Sequence, residues 1–166
     1  MLSCGRVNRS ASCAVLLAAS PAFAACPIEL ATYADTSGVA ELEFTPGLGG
    51  ATVSNSFRLL LGNGVVLDGI VQWLDQEERP WGMLMHKCPG GDVTGDDLAA
   101  CTPWEGVIYT ADDKGNIGLL PEPGKPAPPK LILSALGPAL RMSAAYDAAG
   151  LSRAPQDVFA LKGCQE

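Results

Sequence analysis

His86 is the only histidine of the chain, and it stands two residues before Cys88 in the run Met85-His86-Lys87-Cys88-Pro89. An imidazole beside a thiol is the start of a nucleophilic pair, and one beside carboxylates can act as a general base. Carboxylates follow closely, in the turn Asp92-Val-Thr-Gly-Asp96-Asp97. A small hydrolase or metal-dependent enzyme using His86 and the Asp92–Asp97 turn is therefore one reading of this segment. The same oxygens could hold Ca²⁺, but the EF-hand spacing is missing and no Glu closes the loop. Zinc fails on spacing, because no two cysteines lie close enough in sequence and a single imidazole is on offer. No G-x-S-x-G, H-E-x-x-H or P-loop occurs either. The residue types thus define no catalytic residue, no metal ligand and no cofactor site.

The cysteines point elsewhere. Six are present, and Cys4 and Cys13 fall within residues 1–24, which read as a signal peptide. Arg6 and Arg9 give a basic start, residues 11–19 a short apolar run, and Ala22-Phe-Ala24 a small-x-small cleavage site. The apolar run is too short to span a bilayer, which takes roughly 20 residues. Removing this leader leaves residues 25–166, one domain by length. Cys26, Cys88, Cys101 and Cys164 remain, an even number in an exported chain, so two disulfides are expected among three possible connectivities. Closeness in sequence favours Cys88–Cys101 and leaves Cys26–Cys164 to join the two ends. An oxidised Cys88 is no nucleophile. The expected compartment is the periplasm. Phe23-Ala-Ala-Cys26 also reads as a lipobox, which would anchor the protein by lipid at Cys26, and secretion is a further alternative.

A net charge of −7, which becomes more negative once Arg6 and Arg9 leave, repels nucleic acid and anionic lipid. The electrostatically favoured company is a cationic protein, an envelope protein or a metal ion.

The elements that would position His86 alternate like strands. In residues 39–45, Ala40, Leu42 and Phe44 share one face while Glu41 and Glu43 share the other, the pattern of a half-buried strand with a solvated side. Residues 57–61 and 65–73 flank Gly62-Asn63-Gly64 and form the clearest hairpin, since Asn-Gly supplies the positive φ angles of a tight turn. Gly69 inside the second of these strands implies a bulge or a close backbone approach. Trp81, Met83 and Met85 alternate with Gly82, Leu84 and His86, which would turn His86 away from the Trp/Met stripe. Thr94 followed by Asp97 predicts a short capped helix. Residues 105–110, 117–120 and 130–133 read as strands, 121–129 as a Pro-rich surface loop, and Gly137-Pro138 as a turn. Residues 155–161 fit a helical turn or a final strand. The fold class expected is mainly β: a single small antiparallel sandwich or barrel with one or two short helical turns and two disulfides.

Trp81, His86, Trp104 and Tyr109 group around the bridged segment and form the candidate binding set of a non-enzymatic module. Pro80-Trp-Gly-Met-Leu-Met-His86-x-Cys88-Pro, Asp92-Val-Thr-Gly, Cys101-Thr-x-Trp104-x-Gly-Val-Ile-Tyr109 and Asp157-Val-Phe-Ala-Leu-Lys-Gly-Cys164 resemble a family of uncharacterised exported proteins of alphaproteobacteria. That resemblance implies a compartment and not an activity. A looser likeness, resting on size, export, β-richness and acidity, is to the small disulfide-bonded periplasmic lysozyme inhibitors of the β-barrel type. It would imply inhibition of a cationic enzyme, though their inhibitory loop motif is not identifiable here.

Overall fold

The computed structural model describes residues 25–46, 53–73, 79–92 and 94–165. The expected leader, the Gly-rich break after Pro46 and most of the charged connection before Arg79 lie outside the described residues. Among these residues nine strands form one antiparallel sheet: β1 (Ala31–Asp35), β2 (Glu41–Thr45), β3 (Val53–Leu60), β4 (Val66–Trp73), β5 (Pro80–Met85), β6 (Trp104–Ala111), β7 (Ile117–Leu119), β8 (Lys130–Leu133) and β9 (Val158–Cys164). The order runs β5-β4-β3-β2-β1-β9-β8-β6, and a β5–β6 pairing closes it into an eight-stranded barrel. Strand β7 adds a short hairpin arm to β6. Of the two architectures expected, the barrel is the one adopted.

Closure follows from the alternation of side chains. Leu42, Phe44, Phe57, Leu59, Leu67, Val71, Leu84, Ile108, Leu131 and Phe159 are buried in one core, and Tyr33, Phe44 and Phe57 stack edge to tilted inside it. At roughly 25 cal/mol per Å² of apolar surface, fully burying each such side chain stabilises by about 1.5–3 kcal/mol. The lumen is too full for small residues to be optional. A Cβ on Gly69 would come within 2.4 Å of the Phe57 ring, and one on Gly82 within 2.8 Å of Ile108. The outer face carries the charges. Glu43 pairs with Arg58 at 3.1 Å and Glu41 with Lys162, so the two carboxylates of β2 are a solvated face. An apolar lumen and a charged exterior are the inverse of a lipid-facing barrel. Among the described residues no helix is long and apolar enough to cross a membrane.

Alternating strand directions gather the connections at two ends. One end is closed by the Pro-rich loop, where Ala127 N–H donates to Cys26 O at 2.7 Å and Ile28 N–H to Lys125 O at 2.9 Å. Glu29 accepts the Gly124 N–H there at 2.8 Å. Cys26–Cys164 ties the two chain ends beside it. The other end carries helix α1 (Gly95–Cys101) in the β5–β6 connection, and α2 (Leu136–Arg141) and α3 (Ala144–Ala149) in the β8–β9 connection. Leu136, Leu140, Ala145 and Ala149 plug this end of the core.

One expectation is corrected. Gly137-Pro138 is not a turn but part of the first turn of α2, where a missing N–H costs no helical bond. Among the described residues three short α-helices accompany the barrel. Of the two readings of residues 155–161, the final strand is the one adopted, as β9 (Val158–Cys164), paired with both β1 and β8.

Candidate functional site

His86 lies one residue beyond the end of β5. The next residue, Lys87, takes φ 52°, so the chain turns out of the strand and the alternation stops. His86 is half-buried at this end of the barrel. Its N–H donates to Cys101 O at 2.9 Å, and Nδ1 stands 3.4 Å from Val66 O. Cys88 and Cys101 are bonded to each other, as are Cys26 and Cys164. The Cys26 sulfur is thus occupied and offers no thiol for a lipid anchor.

The acidic turn has structural employment. Thr94 Oγ1 donates to Asp97 at 2.7 Å and accepts the Asp97 N–H at 3.2 Å, while the Thr94 N–H returns to Asp97 at 3.0 Å. This is a complete capping box. The hydrogen bonds from the Thr94 side chain and backbone hold the Asp97 carboxyl below the usual carboxylate range. Among the described residues no three His, Cys, Asp or Glu side chains cluster as a metal site.

The four aromatic and imidazole candidates separate. Trp104 alternates inward with Ile108, is 3% exposed, and donates its Nε1–H to Ser134 O at 2.9 Å. Trp81 and Tyr109 lie on the outer face of adjacent strands, Trp81 opposite Val107. Tyr109 accepts a hydrogen bond from Arg79 Nη1 at 3.0 Å, beside a shallow hollow bounded by Ile117 and Leu119. His86 and Trp104 belong to the helical end instead.

A groove runs between α1 on one side and α2 and α3 on the other. It comprises two adjoining hollows of about 420 and 290 Å³ that share Ala99, Thr102, Pro103 and Ala139. The Trp104 edge and Met83 line the first, and His86 lines the second. Met142, on the second, is 89% exposed. Ala135, at the entry to α2, takes φ 60°, held there by Asp157, which accepts the Ala135 N–H at 2.8 Å. Sequence reasoning missed Met142 and Ala139, because the segment before Ser143 read as the end of a turn. The alanines of 139–149 at helical spacing were the available signal.

Compared with known proteins, the chain matches no family model, no curated protein and no solved structure.

Proposed function

We propose that this is an exported, periplasmic, non-enzymatic binding module of the resembled alphaproteobacterial family, and that it receives a protein partner in the α1/α2–α3 groove. The observation that carries this reading is the groove itself, with Met142 89% exposed on it. The barrel lumen is filled by side chains, so the concave surface lies outside. A concave surface lined by small residues, with Met142 exposed at its side, is a shape that a segment of a partner protein fills. The chain's charge of −7 favours a cationic partner. Capture from envelope extract tests it. Wild type should retain a partner that His86→Ala and Met142→Glu each lose; an unchanged partner in both variants sinks the assignment of this surface.

A second reading, inhibition of lysozyme, is supported by the closed antiparallel barrel together with the acidic charge. Cell-wall lysis by a cationic lysozyme should then slow on adding stoichiometric protein. Unchanged lysis at excess protein removes it.

A further inference from the structure

Helix α1 forms one wall of the groove, yet none of its seven residues is buried. The opposite wall is anchored in the core through Leu136, Leu140, Ala145 and Ala149. Among the described residues nothing comparable holds α1, and no other element packs extensively on it. Its capping box joins Thr94 to Asp97 within the same segment and attaches it to nothing else. Among the described residues, two ties besides the chain's own run into β6 reach the barrel, and both converge on Cys101: the Cys88–Cys101 bond and the His86 N–H to Cys101 O hydrogen bond beside it. Isolated helices shorter than about 12–15 residues are marginal in water, so α1 persists because it is fastened.

The second bridge is differently placed. Cys164 ends β9 and pairs across from Ala31 of β1. The Cys26 carbonyl is held by Ala127 N–H at 2.7 Å. With its sulfurs separated, this pair would still be kept side by side by the sheet, at high effective concentration, and would reclose. Once opened, Cys88 and Cys101 are linked by the single backbone hydrogen bond from His86 N–H to Cys101 O, beyond the end of the β5–β6 ladder. Cys88, Cys101 and Cys26 are half-buried and Cys164 is exposed, so the difference between the two bridges lies in how each recloses and not in a reductant's access.

We propose that Cys88–Cys101 is a reducible latch: closed, it holds α1 as the wall of the groove; opened by a dithiol, it releases α1 and abolishes the groove while Cys26–Cys164 stays intact. The functional meaning rests on the groove reading above. In the step itself, a thiolate of the dithiol attacks one bridge sulfur and displaces the other, which takes a proton. The reductant's second thiolate then displaces the remaining protein sulfur. Two electrons end on Cys88 and Cys101 as two thiols, and the dithiol leaves as its cyclic disulfide.

Dithiothreitol titration of the intact protein, with alkylation and peptide mass mapping, tests selectivity. Cys88–Cys101 should half-open at a reductant level about tenfold below that for Cys26–Cys164. Hydrogen exchange on the singly opened protein, and on Cys88→Ser/Cys101→Ser without reductant, should show amides 98–101 exchanging about tenfold faster or more, with β1 and β9 unchanged. Simultaneous opening, earlier opening of Cys26–Cys164, or unchanged α1 protection overturns the latch. Neither readout needs a partner, so a groove that captures nothing leaves both intact as tests. A partner held equally by wild type and Cys88→Ser/Cys101→Ser refutes the latch and leaves the groove standing.

Discussion

The carboxylate of Asp35 accepts the backbone N–H of Gln156, a residue 121 positions further along the chain, at 3.2 Å. The same buried carboxylate, 4% exposed, takes the N–H groups of Ser37, Val39 and Ala40 and the Ser37 hydroxyl. One side chain thereby shapes the β1–β2 turn and fastens the approach to β9 against it. Burial pushes its pKa up, but the Ser37 hydroxyl and the amides of Ala40, Gln156 and Ser37 together outweigh that, and the carboxyl lies below its ordinary value. A carboxyl with a depressed folded-state pKa contributes stability that is fully present above the unfolded value of about 3.9 and fades as pH falls through the folded one. Thermal unfolding followed by circular dichroism should therefore show stability falling below about pH 4. Asp35→Asn should be less stable at pH 7 by about 1–3 kcal/mol and should show a smaller acid-induced fall. An equal acid slope in wild type and variant would contradict this role.

Gly69 faces Phe57 across the β3–β4 pair, and an added methyl would come within 2.4 Å of the ring. Aromatic packing over a bare backbone is the close approach that a glycine in mid-strand implies. Gly69→Ala should cost about 1–3 kcal/mol in urea unfolding, the usual range for overpacking. Adding Phe57→Leu should return part of the loss, giving a coupling energy of about 0.5 kcal/mol or more. Strict additivity of the two changes would show that the ring yields freely.

How far the sequence foretold this molecule depended on whether the cause was local. Asn63 and Gly64 adopt the positive φ angles, 55° and 69°, that their order in the hairpin predicts. The Thr94–Asp97 box and the solvated Glu41/Glu43 face were equally legible, since each is decided within a few residues. Helix α2 was not, because its cap is Asp157, some twenty positions away. The groove was invisible for a similar reason: its walls come from the β5–β6 and β8–β9 connections, which meet only when the barrel closes.

Cys26–Cys164 spans a sequence separation of 138 and closes nearly the whole domain into a loop. In the chain-entropy account such a crosslink stabilises by about 4–5 kcal/mol. Cys26→Ser/Cys164→Ser should lower the urea midpoint accordingly, with the barrel fold retained because β1 and β9 still pair. If the leader is removed after Ala24, the mature protein should begin at Ala25 by intact mass, with four cysteines unreactive to alkylation. A free thiol at Cys26, or a lipid mass on it, would contradict the bridge.

Trp104 and Met142 border the same groove but answer to different forces, and the pair separates folding from recognition. Trp104 is 3% exposed with its indole N–H bonded to Ser134 O at 2.9 Å, so Trp104→Ala leaves a cavity inside the barrel and should cost about 3–5 kcal/mol. Any lost binding in that variant would be confounded with unfolding. Met142 is 89% exposed, and surface changes away from buried features usually stay within about 0.5 kcal/mol. Met142→Glu should therefore melt within a degree or two of wild type while losing the partner that wild type retains. A charge added to a patch that must be desolvated opposes binding, whereas one left in water at the rim attracts a cation. If the patch is buried on binding, Met142→Glu weakens capture and the weakening survives high salt; tighter capture that disappears with salt would place Met142 at the rim.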